Sequence, residues 1–130
     1  LETEVAQGLP PIEGDRHRIV QALSNLVGNA IKFTPKGGRV EIAAEAADGG
    51  VAIRVSDTGP GIESKDIPHL FDPYWQAAHH ERAGAGLGLS IVKGIATAHS
   101  GRVHVESKVG KGSTFTLEFP AAPPHTEAAD

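Results

Sequence analysis

Asn25-Leu26-Val27-Gly28-Asn29-Ala30-Ile31-Lys32-Phe33-Thr34 is the stretch on which the reading of the chain turns. Gln21, Asn25, Asn29 and Lys32 recur at helical spacing and fall on one polar stripe. Leu23, Leu26, Val27, Ala30 and Ile31 form the apolar side. Asparagine is a mediocre helix former, because its amide competes for nearby backbone. Two of them one turn apart, followed by a lysine, suggest polar groups aimed at a ligand. Mg²⁺ takes oxygen ligands and keeps waters and substrate phosphates around it. An amide oxygen can therefore hold it when phosphates supply the negative charge. Lys32, one turn on, can reach those phosphates as a point charge. Alone, the stripe reads equally well as a solvated helix face.

Working outward, Asp15 is placed to cap a helix from Arg16 to about Phe33. Thr34-Pro35-Lys36-Gly37-Gly38 ends it, since proline disfavours helix at the residue before it. Upstream, Leu1 to Ala6 alternate as a strand, Gly8-Leu9-Pro10-Pro11 breaks it, and Ile12-Glu13 reads as a short second strand. Downstream, Arg39–Ala46 and Val51–Ser56 are strands joined by Asp48-Gly49-Gly50, with Val51, Ile53 and Val55 inward. Glu63 to Leu70 reads as a short helix interrupted by Pro68, and Phe71 to Ala85 as a mobile loop.

A second helix opens at Gly84-Ala85-Gly86-Leu87-Gly88-Leu89 and runs to about Ser100, with Gly101 as its cap. Its buried side is Leu87, Ile91, Val92, Ile95 and Ala98. Arg102–Ser107 and Ser113–Phe119 form a second hairpin around Lys108 to Gly112. This order predicts an α+β, two-layer α/β sandwich: helices on one face of a mixed, mostly antiparallel sheet, occupying residues 1–120. Residues 121–130 read as a disordered tail.

Composition narrows the function. The chain has 130 residues, no cysteine and a net charge of −4, with scattered basic residues. A disulfide framework and a thiol nucleophile are excluded, and a nucleic-acid face is unsupported. No run is apolar enough to span a membrane, so no membrane contact by this piece is expected; the lack of cysteine fits a cytoplasmic setting, with membrane anchoring of the parent protein left open. The absence of methionine and the opening Leu1 predict a piece of a longer polypeptide.

Two glycine-rich stretches carry further chemistry. Asp57-Thr58-Gly59-Pro60-Gly61-Ile62 puts a carboxylate at a strand end, able to accept from an exocyclic amine such as adenine's. Its glycines let a flat base approach the backbone. An ordinary Asx or glycine turn accounts for the same residues. Gly84, Gly86 and Gly88 run into a helix N-terminus and offer N–H groups to phosphates, or form a hinge. Arg82 can fold over a γ-phosphate or stand in solvent. The histidines lack metal-ligand spacing and read as structural or surface residues. Phe71, Tyr74 and Trp75 read as anchors for the loop.

These boxes occur in a set order, from Asn25-x-x-x-Asn29 through Asp57 to Ile62, Phe71-Asp72-Pro73-Tyr74 and Gly84 to Leu89, and on to Gly112-Ser113-Thr114-Phe115. The whole resembles the catalytic, ATP-binding domain of bacterial sensor histidine kinases, of the Bergerat ATP-binding superfamily. The resemblance implies ATP and Mg²⁺ between the helix layer and a flexible lid spanning about Tyr74 to Ala85. It implies Asn29 as main Mg²⁺ ligand with Asn25 assisting, and Asn29 and Lys32 as the catalytic pair. It implies Lys32, Arg82 and Phe33 near the nucleotide, and Asp57, Gly59, Gly61, Ile62 and Thr114 around adenine. Gly84, Gly86, Leu87 and Gly88 would shape the lid's return. Tyr74 stands where phenylalanine is usual, and Ala85 where threonine is frequent.

The resemblance also implies partners: a helical dimerisation domain carrying the phosphoacceptor histidine, and a response regulator downstream. His80-Glu81 runs straight into the glycines and is not that acceptor, so the piece is expected to be a monomer without its nucleophile. Superfamily hydrolases carry a glutamate four residues before the metal-binding asparagine. Asn25 stands there, and its amide cannot act as a base. A nucleotide-binding regulatory module without phosphotransfer is the remaining alternative.

Overall fold

The computed structural model describes residues 2–5, 9, 14–47, 49–72 and 88–121. The elements are β1 (Glu2–Val5), α1 (Arg16–Phe33), β2 (Val40–Ala47), β3 (Gly50–Asp57), α2 (Gly88–Ala98), β4 (Arg102–Lys108) and β5 (Gly112–Pro120). They form one five-stranded sheet in the order β1-β2-β3-β5-β4. β1 runs parallel to β2, and every other ladder is antiparallel. The two helices pack on one face, which makes the expected two-layer sandwich.

Helix α1 begins and ends where its sequence says. Asp15 is extended, and its Oδ1 accepts from the N–H groups of His17 at 2.9 Å and Arg18 at 3.3 Å. Such a cap contributes about 1 kcal/mol. At the other end the Thr34 N–H still reaches the Ala30 carbonyl at 3.1 Å, and Pro35 then stops the helix. Ala22, Leu26 and Ala30 are buried, with Leu23 and Val27 beside them. Ile31 departs from expectation: it is 54% exposed, because the helix meets its neighbours on a stripe narrower than the apolar set.

The sheet presents alternating residues to the helices. Val40 and Ile42 of β2, Val51, Ile53 and Val55 of β3, and Phe115, Leu117 and Phe119 of β5 share that face in register. Leu26, Val55, Val92 and Leu117 are at most 2% exposed. Each such side chain contributes roughly 1.5–3 kcal/mol. The other face is polar. There Arg54 pairs with Glu45, and Glu118 takes both Arg102 and His104.

Three further expectations need correction. Glu63 to Leu70 is not a helix: only Ile67–His69 is helical, a single 3₁₀ turn, and Pro68 sits in its first turn rather than breaking it. On α2, Ala98 is exposed, and Leu89, Val92, Ile95 and Ala96 are the buried residues. The left-handed residue after α2 is Ser100 (φ 60°), not Gly101. Ser100 N–H bonds to Thr97 and Gly101 N–H to Ala96, the double bond pattern that closes a helix C-terminus. Gly101 is needed for space: a Cβ there would lie 2.1 Å from the Glu118 carbonyl oxygen.

Two expectations fall outside the described residues at the start of the chain and in the loop: the Ile12-Glu13 strand, and the segment from Tyr74 to Ala85. The tail beyond Ala121 lies outside them too.

Among the described residues, two hydrogen bonds tie the helices and their flanking residues together, beside their shared apolar packing. Near the start of α2, the Asn25 amide donates to the Gly88 carbonyl at 3.3 Å. At the opposite end, His99 Nε2 accepts from the Asp15 N–H at 2.9 Å, while Nδ1 lies 2.8 Å from the Ile95 carbonyl. A carbonyl only accepts, so His99 carries its proton on Nδ1.

Candidate functional site

Where α1 ends, the loop after β3 and the start of β5 meet, they line a small cavity that opens to solvent. Helix α1 supplies Asn29, Ala30 and Phe33; the loop supplies Asp57, Pro60, Gly61 and Ile62; β5 supplies Ser113 and Phe115. The spacing of Asn29 and Phe33, one turn apart, puts both on the same side of α1. Phe71 packs edge-on against Phe115 with ring centroids 6.3 Å apart, which backs the cavity wall.

Asp57 is the last residue of β3. Its Oδ1 accepts from the Gly59 N–H at 2.9 Å, and the Ser113 N–H also reaches the carboxylate. Burial nonetheless dominates and pushes its pKa up from the ordinary value, with the two N–H groups opposing. The carboxylate is therefore only partly compensated by the protein and is available to a donor from the cavity.

The glycines of this loop are required by the protein itself. Gly61 has φ 80°, and a Cβ on it would come 2.1 Å from the Lys108 carbonyl oxygen. A Cβ on Gly59 would come 2.9 Å from both Asp57 Oδ1 and the Phe33 carbonyl oxygen. The loop is thus pressed between α1 and the β4–β5 hairpin, and the Gly110 N–H donates to the Pro60 carbonyl at 2.8 Å. Sequence reading expected these glycines to make room for a flat ligand; the closest approach is by neighbouring backbone.

Of the residues anticipated from sequence, Asn29, Phe33, Asp57, Gly61 and Ile62 come together on one cavity, with Gly59 behind Asp57. Asn25 stands one turn before Asn29, its amide nitrogen committed to Gly88. Lys32 is exposed and lines an adjoining groove with Phe33, Gly59 and Gly110 instead of the cavity itself. It follows Asn29 by three residues and is rotated off that side of the helix.

Thr114 is a correction. It pairs with Ser56 across β3–β5, its hydroxyl 3.0 Å from the Ser56 hydroxyl, on the polar face of the sheet. Strand alternation gives the cavity position to Ser113. Arg82, Gly84, Gly86 and Leu87 lie outside the described residues.

Sequence reasoning missed Ser113 and Ser107. Ser107 Oγ lies 2.8 Å from Ser113 Oγ, and also contacts the Ile62 N–H and the Gly112 carbonyl. The alternation of β4 and β5 was the available signal, since it puts both serines on the apolar face.

Known proteins match this arrangement. The family described as histidine kinase-, DNA gyrase B-, and HSP90-like ATPase matches residues 14–123. Histidine protein kinase DivJ of Caulobacter vibrioides is 43% identical over 118 residues, covering 86% of this chain and 20% of DivJ. Sensor-like histidine kinase SenX3 of Mycobacterium tuberculosis is 42% identical over 111 residues, covering 83% of this chain and 27% of SenX3. The solved structure of the mycobacterial sensor histidine kinase MprB has a TM-score of 0.81 at 30% identity, covering 95% of this chain and 85% of that one. Full-length ShkA, solved in complex with AMPPNP, has a TM-score of 0.82 at 38% identity, covering 95% of this chain and 26% of ShkA.

The chain belongs to the histidine kinase-, DNA gyrase B- and HSP90-like ATPase family. Its relatives there are sensor histidine kinases, and it corresponds to their catalytic domain. It spans only 20% of DivJ and 27% of SenX3. None of its helices is long and apolar enough, among the described residues, to cross a membrane.

Proposed function

We propose that the chain binds Mg-ATP in the cavity between α1 and the Asp57–Ile62 loop and presents the γ-phosphate to a histidine on a separate helical dimerisation domain. The observation that carries this reading is the part-buried Asp57 carboxylate. It is fixed by two N–H groups on the cavity floor, between the walls made by Phe33, Ile62 and Phe115. A planar base with an exocyclic amine fits such a site, apolar on its faces and met by an acceptor at its edge.

The residues on α1 fit a hard cation. Among the described residues no hydrogen bond engages the Asn29 side chain, and Asn29 is half-buried on the cavity. The Asn25 nitrogen points to Gly88, which leaves its oxygen as the remaining ligand atom. Two amide oxygens one turn apart suit Mg²⁺ that keeps waters and phosphate oxygens. When bound, the ion neutralises charge on the phosphates and orients them. Lys32 on the adjoining groove, and Arg82 with Gly84, Gly86, Leu87 and Gly88 around the lid, are assigned to the phosphates by the same reading. Ser113 takes the place first given to Thr114.

Asn25, Asn29 and Asp57 position the nucleotide, and the attacking nitrogen comes from the partner domain. A nitrogen–phosphorus bond forms as the bond from the γ-phosphorus to the bridging oxygen breaks, and ADP leaves. Catalysis of this kind is positioning and charge neutralisation. The phosphohistidine then serves a response regulator. Water activation in place of transfer lacks a base at Asn25.

The test mixes the chain with the phosphoacceptor domain of its own parent, γ-labelled ATP and Mg²⁺. Label on the partner histidine, lost in Asn29→Ala and Asp57→Ala, is the expected result. ATP binding without transfer would support a regulatory module, and free phosphate from the chain alone would support a hydrolase.

A further inference from the structure

A serine hydroxyl has one proton and two lone pairs. At Ser107 all three are spoken for. The Ile62 N–H donates to Ser107 Oγ at 2.7 Å. The Gly112 carbonyl, 3.0 Å away, can only accept, so it takes the Ser107 proton. The remaining contact, at 2.8 Å to Ser113 Oγ, must then be donated by Ser113. This assignment satisfies every group, and the reverse one leaves the Gly112 carbonyl without the Ser107 proton. Ser113 is left with lone pairs only. It is 7% exposed and lines the cavity beside Asp57, whose carboxylate is also an acceptor.

We propose that Ser107 is a positioning residue: by fixing the direction of the Ser113 proton, it makes this end of the cavity acceptor-only and so sets a preference for 6-amino over 6-oxo purine nucleotides. The inference rests on the ATP-binding reading above. An amino group donates to both Asp57 and Ser113. A carbonyl oxygen in its place meets two sets of lone pairs, and a buried polar group left unpaired in this way is rejected strongly. Ser107 itself need not touch the ligand. It acts through Ser113, and through the Ile62 N–H it also holds the glycine loop against the β4–β5 hairpin.

The experiment compares Mg-ATP with Mg-ITP, which carries a carbonyl where adenine has its amine, by calorimetric titration of the whole chain. Wild type is expected to favour ATP. Ser107→Ala frees the Ser113 proton to turn toward the cavity and donate to the ITP carbonyl. The ATP:ITP affinity ratio should fall about tenfold, the size of one neutral hydrogen bond, with most of the change on ITP. Ser107→Thr keeps the hydroxyl and should keep the ratio. Ser113→Ala should also lower the ratio, and adding Ser107→Ala to it should change nothing more.

An unchanged ratio in Ser107→Ala, or equal weakening of both nucleotides, would overturn the inference and leave Ser107 a purely structural residue. Should Ser107→Ala not fold, a wild-type ratio in Ser113→Ala overturns it instead. Failure of the wild type to bind either nucleotide sinks the ATP-binding reading itself, a result distinct from ATP binding with an unaltered ratio.

Discussion

At one end of the cavity, Asp57 is held by N–H groups from its own loop and from β5, and Ser107 ties that loop to the hairpin behind it. At the other end, Asn25 and Asn29 project from a single helix, with one contact, from Asn25 to Gly88, recorded among the described residues. The first end is assembled from segments far apart in sequence and is tied together by their hydrogen bonds. The second is a row of side chains on one element, whose partners for the proposed phosphates include Lys32 on a neighbouring groove. On the proposed reading, the base is met by side chains that contacts from several segments hold in place, and the metal and phosphates by side chains of one helix. Damage to the two ends should therefore look different.

The largest effect is expected where backbone conformation and packing coincide. Gly61→Ala puts a Cβ 2.1 Å from the Lys108 carbonyl oxygen at φ 80°. It should cost about 3 kcal/mol or more of stability and abolish nucleotide binding. Gly37→Ala, at φ 89° with open space around it, should cost only about 1 kcal/mol and leave binding alone. Thermal unfolding and calorimetry on both variants would break the comparison if they proved alike.

Next comes Asp57→Ala, which should weaken ATP on the order of 10- to 100-fold, the size of a hydrogen bond to a charged group. Its effect on folding has the opposite sense. The Asp57 pKa is raised, so the folded chain holds a proton that the unfolded chain releases first. That contribution is fully present below the ordinary value of 3.8 and is lost as pH rises through the folded value. At neutral pH the carboxylate opposes folding. Asp57→Asn should therefore be no less stable than wild type at pH 7 and relatively less stable in acid, as read from Tm against pH.

Asn29→Ala should cost about tenfold in ATP affinity when Mg²⁺ is present and nothing in EDTA, since a neutral amide ligand is one bond among several. Equal losses in both conditions would remove the metal role. The smallest effect belongs to the polar face of the sheet. Arg102 Nε lies 2.5 Å from Glu118 Oε1, but the Arg102 side chain is 76% exposed. The hydrogen bond from Arg102 holds the Glu118 pKa below its ordinary value. This stabilisation exists above that ordinary value and fades as pH falls through the lowered one. Arg102→Ala should change stability by about 0.5 kcal/mol at pH 7 and by less in acid.

The parts of the molecule that sequence made legible are those with local causes. Asp15, the apolar period and Pro35 bound α1 at Arg16 and Phe33, and the glycines at positions 49 and 110 mark both hairpins. Sequence marked Asp57 at a strand end and Asn29 on a polar helix stripe, and both residues lie on the cavity. What sequence did not reveal depends on long-range packing. Ile31 looks like core, yet no element among the described residues covers it. Ser100 takes the left-handed position beside Gly101 because the close approach of Glu118 governs Gly101. Ser113 and Thr114 are chemically near-equivalent, and the alternation that turns Phe115, Leu117 and Phe119 to the helices gives the cavity to Ser113. Ser107 takes two of its partners across its own hairpin, but the third, the Ile62 N–H, comes from a loop 45 residues away that a linear reading does not reach.

One strand differs from the rest in how it is held. β2–β3 and β4–β5 close across tight turns, whereas β1–β2 and β3–β5 each join strands with a helix between them. Closing such spans is slow, and β1 then has only four residues and one neighbour, at the rim of the sheet, to hold it. Amide protons of Glu2 to Val5 should consequently exchange with solvent well ahead of those in β3 and β5, marking this strand as the part of the sheet that opens while the strands lining the cavity stay paired.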